Sequence, residues 1–129
     1  KLKIENLKLG ETIILTGALS REELLKYMIA ADLFVLNTAY EGFSHQLLEA
    51  MSLGVPMITT DAGGNNELIR DGESGFLIKF DDKKAFADKI SKLLSDSNLA
   101  KKFSENAQKK AQEFSLERMI TETIKVLNL

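Results

Sequence analysis

The stretch from Ala39 to Asn66 places the strongest limits on how this chain can fold. It contains an acidic loop, a helix with its apolar residues on one face, a Gly-Val-Pro break, a buried strand and a Gly-Gly turn. The helix should begin after Ser44 and end near Leu53, and the strand should cover Met57–Thr60. A loop, helix and strand in this order are typical of open α/β sheets, which bind ligands at the carboxyl ends of their strands.

Strand and helix signals alternate along the rest of the chain. Ser20 and Glu23 form a capping box that predicts a helix ending near Ala31, and a short helix is predicted at 65–69. β-branched and apolar runs predict further strands at Thr12–Thr16, Leu33–Leu36 and Phe76–Ile78. Three more helices are predicted at about 82–95, 98–113 and 115–128. The prediction is an α/β fold: a Rossmann-like, partial doubly wound sheet of about four parallel strands, with helices on both faces and a helical C-terminal tail.

The composition limits the classes of function. The chain has 129 residues, which fits one domain, and its net charge of -2 gives no general attraction to nucleic acid or anionic membranes. It has no cysteine and one histidine, which excludes thiolate metal sites and argues against a histidine-based zinc site. No apolar run reaches the ~18 residues of a membrane span. The chain begins with Lys1, so we expect an excised piece or an incomplete reading frame.

Two acids flank the start of the helix in the Ala39–Asn66 stretch. Glu41 lies in the loop and Glu49 lies inside the helix, while Gly42 would let a ligand approach the backbone closely. Free amides in the first helical turn would attract an anion. Carboxylates that can bind sugar hydroxyls, next to amides that can bind phosphates, are the groups expected in a nucleotide-sugar site. The alternative is that Glu41 is a solvated acid in a loop and Glu49 an acid on the surface of a helix. The spacing of the two acids, taken alone, favours this alternative.

Several short sequence motifs, taken in order, resemble those of one enzyme family. EGFSHQLLEAM from Glu41, GVPMI from Gly54 and GGNNE from Gly63 closely resemble retaining glycosyltransferases of the GT-B fold, family 4, also called group 1. ADLFVL from Ala31 and DGESGFLI from Asp71 continue the resemblance, which covers the chain from about Thr12 to Ser115. The resemblance therefore implies an enzyme that transfers a sugar from a nucleotide-sugar donor.

The resemblance also implies roles for particular residues. Glu41 would be catalytic and contact the transferred sugar, and Glu49 would accept hydrogen bonds from the ribose hydroxyls. The remaining donor-binding residues would be Gly42, Phe43, Ser44 and Leu48. Backbone amides of the first three would hold sugar hydroxyls or the diphosphate. The reaction would be retaining and would need no metal and no cofactor.

Two parts of the family's enzymes have no counterpart in this sequence. The family's C-terminal domain normally begins with two further strand–helix units that carry the diphosphate-binding cations, and its N-terminal domain binds the acceptor. Residues 1–129 would then be the C-terminal donor half, incomplete at its N-terminal side and inactive alone. Partners would be the donor and a missing acceptor domain or partner chain, without nucleic acid. The expected location is the cytoplasm, or a membrane surface as part of the full enzyme.

Two alternatives to this function stay open: a non-catalytic Rossmann-like interaction module, and one chain of a split glycosyltransferase. For the sheet, the family's strand order leaves three possibilities for Thr12–Thr16. It pairs directly with Leu33–Leu36, or a second copy or a partner chain fills a gap between them, or the gap stays open in a fragment cut from a longer protein. His45 is interpreted as an exposed residue at the helix start, and Gly63–Gly64 as a tight turn. The last predicted helix should be loosely held, because the domain on which it packs in the family is missing.

Overall fold

Three parallel strands form the centre of the computed structural model, which describes residues 6, 9–115, 120–121 and 124–126. They are β1 (Phe34–Leu36), β2 (Met57–Thr60) and β3 (Phe76–Ile78), and they lie in the order β1-β2-β3. In register, Val35 lies opposite Ile58, and Ile58 lies opposite Phe76. All four residues of β2 are buried, because this strand has a neighbour on each side.

Helices pack on both faces of this sheet. They are α1 (Arg21–Ala30), α2 (His45–Leu53), α3 (Asn65–Leu68), α4 (Lys83–Ser95) and α5 (Ser97–Ala111), followed by a 3-10 turn at Gln112–Phe114. Met57 belongs to an apolar cluster with residues of α2, α3 and α5, whereas Ile58 belongs to a cluster with Phe86 of α4 and Phe103 of α5. Since successive strand residues face opposite sides, the two clusters are the cores of the two faces.

Local capping signals determine where the helices begin and end. The Ser20 hydroxyl accepts from the Glu23 amide at 3.3 Å, and the Glu23 carboxylate accepts from the Ser20 amide at 2.9 Å. The Ser20 hydroxyl also donates to Glu23 Oε2 at 2.7 Å. This bond first, and then the bond from the Ser20 amide, stabilise the carboxylate and so lower the pKa of Glu23. Ser44 caps α2 through a 3.3 Å bond from the Leu47 amide. Gly54 ends α2 in the left-handed conformation (φ 72°), which glycine adopts without steric cost.

The predicted strand at Thr12–Thr16 is wrong. The amides of Thr12 and Ile13 instead bond the Leu9 carbonyl in a turn, and 75% of Ile14 is exposed. The described part of the chain therefore has three strands instead of about four, and no pairing joins 12–16 to β1. A strand needs a hydrogen-bonding edge. One edge of β1 is occupied by β2, and the segment at 12–16 does not reach the other.

The region before β2 is also less buried than its apolar pattern predicts. Only Met28 of α1 is buried, and Tyr27, expected on the same apolar face, is 53% exposed. In β1, expected as a buried strand, Val35 is 41% exposed. β1 and β3 both lie at edges of the described sheet, but Phe76 and Ile78 of β3 pack in the apolar cluster with Phe86 and Phe103, whereas Val35 belongs to neither apolar cluster.

Most other element bounds are confirmed to within two residues. The helix predicted at 98–113 spans Ser97–Ala111, and Gln112–Phe114 forms the 3-10 turn. The helix predicted at 115–128 lies largely outside the described residues, of which 120–121 and 124–126 are helical. Within the described chain, every helix lacks the combination of length and apolar character that crossing a bilayer requires.

Candidate functional site

The loop that leads into α2 is held in place by the Gly63–Gly64 turn. The Gly64 amide donates to the Glu41 carbonyl at 3.1 Å. A Cβ atom added at Gly63 would lie 1.9 Å from the Glu41 carbonyl oxygen, and one added at Gly64 would lie 2.1 Å from that of Gly42. Gly63 also has a φ of 50°, which L residues rarely adopt. Side chains are therefore excluded at both positions, and the turn fixes the backbone of the acidic loop.

The first turn of α2 combines a buried cap with free amides. Ser44 is buried. Its carbonyl accepts a hydrogen bond from the Leu48 amide at 3.1 Å, and its hydroxyl accepts one from the Leu47 amide. Helix geometry offers no carbonyl within the helix to the amides of His45 and Gln46. These two amides and the positive end of the helix dipole make the end of the loop suitable for a negatively charged group.

A cleft of about 410 Å³ lies between α1 and α2, a volume within the range of small-molecule sites. Its walls are formed by Arg21, Leu25, His45, Leu48, Glu49, Ser52 and Leu53. Arg21 Nε donates to Glu49 Oε1 at 2.9 Å across the cleft. The side chain of Glu49 is 24% exposed, whereas that of Arg21 is 78% exposed. The cleft thus combines apolar walls with one carboxylate and one cation.

The structure brings some of the sequence-predicted residues together and separates others. Leu48 and Glu49 line the cleft, and Leu48 also lines a second depression that includes Phe114. Glu41 is half-buried in the loop outside the cleft lining. Ser44 is buried, and its hydroxyl caps its own helix. Donor binding by these residues stays a prediction.

Phe43 connects the acidic loop to the end of the described core. Its ring centroid lies 5.8 Å from that of His45, edge to face, and 5.4 Å from that of Phe114 in the 3-10 turn. Aromatic pairs at these separations are favourable beyond their buried area. Phe43 is still 40% exposed, and His45 is exposed as the sequence predicted. The loop is therefore supported from two sides, by the Gly63–Gly64 turn and by Phe114.

Sequence reasoning missed the part that Arg21 plays in the cleft. It assigned Arg21 no role in a site, although a useful signal was present. Arg21 is the first residue of α1, where the helix dipole disfavours a cation. A cation in that position is slightly disfavoured by its own helix, so an acidic partner on another element would be favourable. No cluster of three or more possible metal-binding side chains occurs in the part of the chain that the structure describes.

The comparisons with known proteins identify the family. The sequence profile described as glycosyl transferases group 1 matches residues 1–110. The chain belongs to this family. It is 41% identical to the putative glycosyltransferase EpsD of Bacillus subtilis over 92 residues. This matched region covers 71% of this chain and 24% of EpsD. It is 31% identical over 120 residues to N-acetyl-alpha-D-glucosaminyl L-malate synthase of Bacillus anthracis, covering 92% of this chain and 31% of that enzyme.

Solved structures confirm the Rossmann-like fold of GT-B glycosyltransferases. The HepE protein of Anabaena in complex with UDP matches 98% of this chain with a TM-score of 0.90 and 29% identity. The C-terminal domain of the group 1 transferase LpcC of Francisella tularensis matches 89% of it with a TM-score of 0.80 and 31% identity. The group 1 chain described here spans 35% of the HepE chain and 60% of the LpcC domain. It spans about a quarter to a third of the two curated relatives.

Proposed function

We propose that this group 1 chain is the donor-binding part of a retaining glycosyltransferase that uses a nucleotide sugar. The observation that carries the proposal is the fixed acidic loop, whose Glu41 carbonyl is bonded by Gly64, immediately before the free amides of α2. Family membership and the binding of UDP or UDP-glucose by the similar HepE protein support it.

Each end of the donor has a chemically suited partner in this proposal. Glu41 is the catalytic residue that contacts the transferred sugar, and the amides of Gly42, Phe43 and Ser44 bind its hydroxyls or the diphosphate. Glu49 accepts from the ribose hydroxyls beside Leu48. One oxygen of Glu49 is bonded to Arg21, but a carboxylate has about four acceptor positions, so it can still accept two hydroxyls.

The acceptor belongs to another part of the enzyme in this proposal. Residues 1–129 are the C-terminal donor half, and an N-terminal domain or a partner chain supplies the acceptor site and the cations that stabilise the leaving diphosphate. The donor is a substrate, and the reaction uses neither a metal nor a cofactor, as the family resemblance implies. The complete enzyme acts in the cytoplasm or at a membrane surface.

A binding experiment tests the donor site. Saturation-transfer NMR with UDP-glucose, GDP-mannose and ADP-glucose identifies the preferred donor, and calorimetry measures its affinity. Losing charge-assisted bonds to two hydroxyls should cost the Glu49→Gln variant about 1.5–3 kcal/mol of binding free energy. His45→Ala, in the same cleft, is the matched control and should change the affinity less. Weakening by the histidine change alone would contradict the assignment.

An activity assay tests whether the acceptor site and the diphosphate cations lie outside this chain. The purified chain should release no free nucleotide and transfer no sugar from any of the three donors, because the acceptor domain and the diphosphate cations are supplied elsewhere. Transfer by the isolated chain would contradict this part of the proposal. A chain that binds none of the donors would instead support the interaction module as its function.

A further inference from the structure

The Arg21–Glu49 ion pair differs from the other ion pairs of the described residues. It joins two helices across 28 positions of sequence, from the start of α1 to the middle of α2. The other ion pairs between described residues join positions at most four apart, as Lys26–Glu22 does within α1. Such local pairs are common on exposed helical surfaces and contribute little. The Arg21–Glu49 pair instead links one helix to a carboxylate on another, and the side chain of Glu49 is only 24% exposed.

The position of Arg21 has a cost in α1 and a consequence in the cleft. As the first residue of the helix, its cation meets the positive end of the dipole, so stability of α1 does not explain its presence. The adjoining capping box at Ser20 and Glu23 fixes where the helix begins, and with it the Cα position of Arg21. The guanidinium therefore extends from a defined point toward Glu49.

The geometry of the bond leaves half of the carboxylate available. Arg21 uses Nε to bond Oε1, and no hydrogen bond to Glu49 Oε2 occurs among the described residues. This hydrogen bond limits the side-chain conformations that Glu49 can adopt. A glutamate already held in one orientation loses less conformational freedom when a ligand binds. Arg21 can thus prepare Glu49 to accept hydroxyl groups without touching the ligand.

We propose that Arg21 is a positioning residue that holds the Glu49 carboxylate for the ribose hydroxyls of the donor nucleotide. This inference rests on the proposed function, because it assumes that Glu49 meets the ribose. It makes a specific prediction: Arg21 strengthens the binding of nucleotides that carry both ribose hydroxyls and has no effect on those that lack them.

Calorimetry with UDP, GDP and ADP and with their 2′,3′-dideoxy analogues tests the inference. Arg21→Ala should weaken the best-bound diphosphate about threefold to tenfold, as expected when a side chain must be ordered on binding. The affinity for the corresponding dideoxy analogue should not change. In a Glu49→Gln background, Arg21→Ala should add no further loss. Arg21→Lys should recover part of the affinity, because it keeps the charge but not the planar group.

Lys26→Ala is the matched control, because Lys26 forms an exposed ion pair with Glu22 on the same helix. It should leave all affinities unchanged. Equal weakening of the normal and dideoxy nucleotides by Arg21→Ala would mean contact with phosphate and would overturn the inference. So would additive losses from Arg21→Ala and Glu49→Gln. If the wild-type chain binds a diphosphate and Arg21→Ala binds it equally well, the role of Arg21 alone is refuted. If the wild-type chain binds none of the diphosphates, the proposed function and this role are refuted together.

Discussion

The half of the molecule around β2 and the half formed by residues 9–36 differ sharply in packing. All four residues of β2 are buried, whereas Met28 is the one buried residue among 9–36. Both halves contain β-branched and apolar runs, so composition does not cause the difference. β2 is hydrogen-bonded to β1 and β3 and is covered by an apolar cluster on each face. Neighbours on every side, more than residue type, make a segment part of a core.

The largest effect should come from matched isoleucines in the two halves. Ile58 in β2 is fully buried, so Ile58→Ala should lower the free energy of unfolding by about 2–5 kcal/mol. Ile14 is 75% exposed, and Ile14→Ala should change it by no more than about 0.5 kcal/mol. Urea denaturation followed by circular dichroism measures both. Similar losses would show that 12–16 packs against the fold in solution.

Matched glycines test the contact between the Gly63–Gly64 turn and the acidic loop. Gly17 and Gly63 both have positive φ angles, which should cost an alanine about 1–2 kcal/mol at either position. A Cβ atom at Gly17 would meet nothing within 4 Å, but one at Gly63 would overlap the Glu41 carbonyl. Gly63→Ala should therefore cost about 1–3 kcal/mol more than Gly17→Ala in thermal or urea unfolding. Equal costs would mean that the loop is not fixed by this turn.

Matched serine caps compare the two helices that form the cleft. Ser20 and Ser44 each accept from an amide three residues later at 3.3 Å, but Ser44 is buried and Ser20 is exposed. Ser44→Ala should cost about 1 kcal/mol of stability, within the range for helix caps. Ser20→Ala should cost less, because water can replace the lost acceptor. A larger loss at Ser20 in urea titrations would reverse this ranking.

The smallest expected effect is a pH dependence confined to α1. The bonds from Ser20 lower the pKa of Glu23 below its ordinary value of 4.5. The stabilisation is therefore present above the ordinary pKa and is lost as the pH falls through the lower pKa of the folded state. The protection factors of the α1 amides, which compare their exchange rates with those of the unfolded chain at the same pH, should fall over that interval, and Glu23→Gln should abolish the change. The start of α2 has no acid in its first turn and serves as the internal reference.

Features encoded within a few residues could be predicted from the sequence. The capping box at Ser20, the start of α2 after Ser44 and its end at the Gly-Val-Pro break each depend on neighbours in the chain. β2 was predicted with its correct bounds because its apolar run is followed by a turn signal. The sequence motifs that resemble the family are also local, which is why fold and family were recognised together.

Features that join distant residues could not be predicted in the same way. The run at Thr12–Thr16 has the composition of a strand, but a strand exists only where another strand offers its edge. The Arg21–Glu49 bond depends on how two helices approach each other, which no short pattern encodes. The contact of Gly63 with the Glu41 carbonyl is of the same kind. In the candidate site, therefore, sequence identified the loop and helix, and the structure added Arg21.

The contact between Phe43 and Phe114 has a consequence for the order in which the protein is assembled. Phe43 leaves the ribosome long before Phe114 does, and contacts between distant positions form late because the intervening chain must first be ordered. The backbone of the acidic loop can be fixed once the Gly63–Gly64 turn has been made. Its aromatic side chain gains its second support only when the last turn of the described core has folded, so this loop is completed late in folding.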